Sequence, residues 1–189
     1  MPDRAPPAIE AQPLPYQDRL LPRTHDEIDL VVIHCTELPD LAMARAYGER
    51  VLYESGTGNS GHCYIDRDGR IVQYVALDRV AHQVSGFNPR SIGIELVNTG
   101  RYPHWWDSRH QAMDEPYPDA QIAALIDLLQ YLCGTLPALA HIAGHEWLDT
   151  REEVASDDPE RRVPRKRDPG PLFPWPRVLA AVPLQELRG

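Results

Sequence analysis

No stretch of the sequence approaches the roughly 20 consecutive apolar residues that crossing a bilayer requires, so a membrane-spanning protein is excluded and no membrane partner is expected. Cysteine is scarce. Cys35, Cys63 and Cys133 form an odd set without CxxC spacing, which removes zinc knuckles and paired redox thiols. Three reduced thiols fit a reducing compartment, with one disulfide plus one free thiol as the alternative. Positive charge is also in deficit: the net charge of −9 leaves no basic face to displace counterions from a polyanion, so nucleic acid is not expected as a partner. The basic run at residues 161–167 lies beside acidic residues and reads as a solvated loop. Among 19 Lys and Arg residues, Lys166 is the only lysine. The first residues lack the basic start, apolar core and small-residue cleavage site of a signal peptide, which predicts a cytoplasmic protein.

What the sequence does contain is enough for one core. A chain of 189 residues with 42% hydrophobic content predicts a single domain, expected to be a monomer. Residues 1–27 are Pro-rich and polar, and read as an extended or poorly ordered arm on the surface with no part in catalysis. The folded domain is expected over 28–182, with an inserted polar loop at about 148–164 and a tail at 183–189. Residues 29–34 (DLVVIH) have the β-branched make-up of a strand buried on both faces. A helix is predicted over 41–53, a hairpin over 62–65 and 70–75 across an Asp-Gly turn, and a strand over 91–97. In that strand Glu95 points away from Ile92, Ile94 and Leu96. An amphipathic helix over 119–133, a strand over 141–144 and a terminal helix over 175–182 complete the pattern. Strands alternating with helices predict an α/β fold, a central mixed β-sheet flanked by helices on both faces.

His34 and His145 fall at predicted strand ends, and Asp168 lies in an Asp-Pro-Gly turn, so the three could converge at one edge of the sheet. Catalytic zinc commonly takes three His or carboxylate ligands and keeps a further position open. Each residue alone is weak. A lone histidine is more often structural, and Asp before Pro is often only a turn former.

Order gives them weight. The stretches VVIHCT, GHCYIDRDGRIVQYV, SIGIEL, AGHEWL and RKRDPGPLFPW, spanning residues 30–178, resemble in sequence and order the zinc N-acetylmuramoyl-L-alanine amidases. This is the AmpD-type, or type 2, amidase family, to which phage lysozyme-like amidases and peptidoglycan recognition proteins are related. The resemblance implies that His34, His145 and Asp168 hold Zn2+, that Glu95 is the general base and that Lys166 is a catalytic cation. It implies hydrolysis of the amide between N-acetylmuramic or anhydromuramic acid and L-alanine, with peptidoglycan fragments as partners in cell-wall turnover or recycling. These roles make chemical sense. Zinc makes a water acidic enough to be deprotonated near pH 7, a carboxylate can take the proton, and a fixed cation steadies the oxyanion that develops. A chain that uses arginine everywhere else and lysine at 166 points to a place for a compact ammonium.

The resemblance places His82 on a loop facing substrate and His62 near the sheet rather than on the metal. Trp105, Trp106 and Arg109, close together in RYPHWWDSRH, suit stacking on sugars and pairing with peptide carboxylates, or else pin a long loop to the core. The chain departs from the family in three places. The segment between His145 and Asp168 is longer than in many relatives and is either a lid or a tolerated insertion. Cys35 stands where some members have Asn, and Gly61 stands where phage-type enzymes carry Tyr. Two other readings share these residues: a lytic amidase acting on intact wall, and a recognition module that performs no chemistry.

Overall fold

The computed structural model describes residues 6–189. In chain order the strands and α-helices are β1 (Ile9–Ala11), β2 (Leu30–Cys35), α1 (Leu41–Gly48), β3 (Cys63–Ile65), β4 (Ile71–Gln73), β5 (Ser91–Leu96), α2 (Asp119–Thr135), β6 (His141–Gly144), α3 (His145–Leu148), β7 (Glu152–Val154), β8 (Arg162–Pro164), α4 (Trp175–Leu179) and β9 (Gln185–Glu186). Seven strands form one sheet in the order β1-β4-β3-β5-β2-β6-β9, parallel throughout except at the β3–β4 hairpin, and β7 and β8 form a separate antiparallel pair. The fold is mixed α/β.

Strand periodicity divides the core. From β2 and β5, Val31, Ile33, Ile92, Ile94 and Leu96 face the apolar side of α2, where Ile122, Leu125, Leu128, Leu129 and Leu132 are buried. The alternate residues Leu30 and Val32 face the other way and pack with Val84 and Ala143, while Tyr64, Val72 and Tyr74 cover that face further along with Ala44 of α1. His34 continues the Leu30 and Val32 row, so it emerges on the face opposite α2.

Four segments differ from the sequence expectation, the least of them α4, which ends at Leu179 rather than at 182. Helix α1 is capped by Asp40, whose side chain accepts from the Met43 N–H at 2.7 Å, but it stops at Gly48 rather than running to Tyr53. The Gly48 carbonyl is taken by the Tyr16 hydroxyl at 2.6 Å, and the N–H groups of Leu52 and Tyr53 turn to the Thr57 carbonyl instead. The described part of the expected surface arm is structural: β1 extends the sheet, and Leu14, Tyr16 and Leu20 are buried. Residues 1–5 of that arm lie outside the described residues. At the other end, the expected tail supplies β9, which pairs with β6.

Candidate metal and active site

The sheet register brings the chemistry together. His34 is the penultimate residue of β2, and its register partner on β5 is Glu95. On the other side of β2, Ile33 is opposite Gly144, so the next residue, His145, opens α3 beside His34. Asp168 comes from the loop after β8, and its carbonyl accepts the N–H of Glu146 at 3.0 Å, which ties that loop to α3. The Asp168 Oδ2 atom lies 2.9 Å from His34 Nδ1 and 3.0 Å from His145 Nδ1. The two imidazoles meet edge to face with centroids 4.5 Å apart.

All three side chains are buried, and one possible ligand atom from each lies within 4.8 Å of the others. Asp168 Oδ1 is buried with no hydrogen-bond partner. A buried carboxylate oxygen is costly to leave without a partner unless something else satisfies it. Two imidazole nitrogens and a carboxylate are a donor set that suits a zinc-type cation, so the residues present fit a metal. No other such group of His, Cys, Asp or Glu occurs among the described residues.

The local field is strong. Burial raises the Glu95 carboxyl above its ordinary range; His34 and Lys166 oppose this and the Asp168 charge reinforces it. Burial lowers His145 to about 4 against the pull of Asp168. His34 is raised, because burial, which alone would lower it, is outweighed by Glu95, Asp168 and Gln83. The two histidines hold Asp168 well below the usual carboxylate range despite its burial. Glu95 Oε1 stands 4.0 Å from His34 Nδ1. This leaves the carboxylate beside the donor set rather than in it.

A cavity of about 710 Å³ opens above this cluster. Its lining includes Glu95, Lys166, His82, Trp105 and Trp106 along with the three clustered residues. His82 packs edge to face on Tyr53 at 5.1 Å. Trp105 is anchored by its ring N–H on the Glu37 carbonyl at 3.3 Å, while Trp106 is the more exposed of the pair. Arg109 does not line the cavity. Its guanidinium, largely exposed, is engaged by Asp107 at 2.8 Å and by Asp157 at 3.4 Å. Arg50 and Arg165 are cavity-lining cations instead. His62 is fully buried, with its Nδ1 accepting from the Gly93 N–H at 3.0 Å, and stands outside the cluster.

Other functional neighbours carry no local sequence signal. Arg101 donates to both carboxylate oxygens of Glu37, at 2.6 and 2.8 Å, and to the Pro164 carbonyl at 2.8 Å, two residues before Lys166. The longer segment between His145 and Asp168 forms the β7–β8 hairpin. The hairpin is fastened to the tryptophan loop by Ser156 N–H on the Trp106 carbonyl at 2.8 Å and by Asp157 accepting from Ser108.

The fold and this cluster together define an α/β protein with a buried His-His-Asp metal-type site at the carboxyl ends of its central strands. Residues 24–171 match the N-acetylmuramoyl-L-alanine amidase family, and the chain belongs to that family. It is 37% identical over 134 residues to the 1,6-anhydro-N-acetylmuramyl-L-alanine amidase AmpD of Salmonella typhimurium strain SL1344, an alignment covering 66% of this chain and 58% of the relative. The chain thus spans somewhat over half the length of the curated relatives it matches. Among solved structures, a selenomethionine AmpD derivative superposes with a TM-score of 0.65 at 27% identity, covering 92% of this chain and 94% of the other. The amidase AmiD from E. coli, solved with anhydro-N-acetylmuramic acid-L-Ala-D-gamma-Glu-L-Lys, superposes with a TM-score of 0.61 at 25% identity, covering 82% of this chain and 57% of AmiD. Among the described residues, no helix is long and apolar enough to cross a membrane.

Proposed function

We propose that this chain is a zinc-dependent N-acetylmuramoyl-L-alanine amidase that cuts the amide between N-acetylmuramic or anhydromuramic acid and L-alanine in peptidoglycan fragments, in cell-wall turnover or recycling. The observation that carries this reading is the convergence of His34, His145 and Asp168 at the floor of one cavity, with Glu95 at 4.0 Å from His34 and Lys166 in the same lining. The names of the AmpD relatives and the ligand of AmiD support the substrate class.

His34, His145 and Asp168 would hold the zinc. Bound there, zinc would supply Lewis acidity toward the amide carbonyl and would make a water nucleophilic near neutral pH. Glu95 would take a proton from the attacking water and pass it to the departing amine nitrogen. A carboxyl raised by burial suits both halves of that transfer. The Lys166 ammonium stabilises negative charge as it develops on the carbonyl oxygen. His82, Trp105 and Trp106 bind the sugar and peptide on either side of the scissile bond.

The test is zinc analysis of the purified protein together with peptide release from defined muropeptides. Stoichiometric zinc and release of the stem peptide are expected, faster from soluble anhydromuropeptides than from whole sacculi. Folded, zinc-loaded protein that releases no peptide from either substrate overturns the reading.

A further inference from the structure

One polar side chain of the cavity lining, Gln83, touches the donor set without a part in the chemistry above. It lies on the loop between β4 and β5, where Asn88 Oδ1 accepts from the backbone N–H groups of Gln83 and Val84 at 3.0 and 2.7 Å. Its amide oxygen Oε1 lies 2.5 Å from His34 Nε2, and its amide nitrogen Nε2 lies 2.6 Å from Ser91 Oγ. Ser91 Oγ in turn lies 2.9 Å from the Phe87 carbonyl oxygen.

The direction of every bond in this chain follows from its last member. A backbone carbonyl can only accept, so the Ser91 hydroxyl commits its one proton to Phe87. Ser91 Oγ must then be the acceptor for the Gln83 amide N–H. That orientation presents the Gln83 carbonyl oxygen to His34, and this oxygen has no proton to give. His34 Nε2 therefore carries a hydrogen, and in the neutral ring, the form that ligates a metal, it is Nδ1 that turns its lone pair toward Asp168 Oδ2 at 2.9 Å. Two such lone pairs at that distance repel unless they share a proton or a metal cation, and in the metal reading the cation takes that place.

The sheet is shaped for this contact. A Cβ built at position 93 would lie 2.8 Å from Gln83 Cγ and Cδ, so Gly93, in the middle of β5, leaves the slot into which the amide fits. We propose that Gln83 is a positioning residue for the metal: through the relay Phe87–Ser91–Gln83 it fixes the tautomer and orientation of His34 so that Nδ1 is presented as the ligand atom. This rests on the zinc reading above. Groups that orient a ligating histidine in this way are typically worth about 10- to 100-fold in metal affinity.

The experiment is zinc affinity by chelator competition on the full chain and its Gln83→Leu and Gln83→Glu variants, combined with imidazole 15N–1H NMR of the zinc-loaded wild type. Leucine, similar in shape but unable to accept, is expected to weaken zinc binding by about 10- to 100-fold. Glutamate keeps an acceptor and is expected to stay within a few-fold of wild type. In the NMR spectra the wild-type His34 is expected to carry its hydrogen on Nε2, whatever the variants do. Unchanged affinity in Gln83→Leu, or His34 bound to zinc through Nε2, overturns the inference while leaving the metal site standing. A wild-type chain that binds no zinc removes the metal reading itself, and this inference with it.

Discussion

Glu95 can approach His34 because position 61 carries no side chain. A Cβ built on Gly61 would lie 2.8 Å from Glu95 Cγ and 3.2 Å from the Gly93 carbonyl oxygen. The backbone cannot give way in the middle of the sheet, so the carboxylate would have to rotate. With Glu95 in this pose, a side chain at position 61 has no room. Two variants separate the base from its position. Glu95→Gln is expected to keep stoichiometric zinc by elemental analysis and to lose turnover by about 100-fold or more. Gly61→Ala, with Glu95 intact, is expected to lose about 10- to 100-fold in kcat, because a displacement on the order of 1 Å is enough to cost that much. Near-normal turnover in Gly61→Ala would show that Glu95 need not stand where it does. The grouping of His34, His145 and Asp168 was legible in the sequence because motifs resembling the amidase family carry them in order; strand ends and an Asp-Pro-Gly turn alone left each of them weak. Gln83 and the Arg101–Glu37 pair were not, since each acts through partners distant in the chain: 49 residues in the first case and 64 in the second.

At the scale of elements, one buried ion pair helps to hold the loops that wall the cavity. Arg101 is buried, bridges Glu37 and the Pro164 carbonyl, and so joins the end of β2, the tryptophan loop and the strand leading to Lys166. Removing one partner of a buried pair leaves the other charge without compensation, which typically costs about 3–5 kcal/mol. Arg101→Leu is expected to lose that much stability in urea unfolding, and the double variant Arg101→Leu/Glu37→Leu to recover part of it. A double variant no more stable than the single one would mean that the pair matters chiefly for its bonds to the loop backbone. The central strands were legible for a simple reason: β2 carries a Val-Val-Ile run, β5 alternates Ile92, Ile94 and Leu96, and both are buried along nearly their whole length. The edge strands β1 and β9 are three and two residues long and mostly exposed, so no apolar alternation announces them.

At the scale of the whole molecule, the amino-terminal segment belongs to the core. Leu14, Tyr16 and Leu20 are each buried to within a few per cent, and full burial of an apolar side chain contributes about 1.5–3 kcal/mol. Deleting residues 1–21 is therefore expected to cost several kcal/mol, a large share of the roughly 5–15 kcal/mol typical of a domain, seen as a marked fall in Tm. Arg23, just beyond that cut, also sets a pH limit on the fold. Its guanidinium donates to the carbonyls of Leu77 and Ser91, both at 2.8 Å, and stands 2.8 Å from His62 Nε2. Burial, reinforced by that positive charge, lowers His62 to about 3, against 6.5 for the ordinary group. Between those values the unfolded chain binds a proton that the folded chain refuses. The stability associated with His62 is thus complete above about pH 6.5 and is lost as pH falls toward 3, at up to about 1.4 kcal/mol per pH unit. With a chelator present throughout, wild type is expected to lose about 2 kcal/mol more than His62→Asn between pH 7 and pH 5 in urea unfolding. Asparagine keeps an acceptor near Nδ1 for the Gly93 N–H but has nothing to titrate. The metal-site residues are common to both chains and cancel in the comparison, so equal losses would mean that His62 is not the group that makes this sheet sensitive to acid.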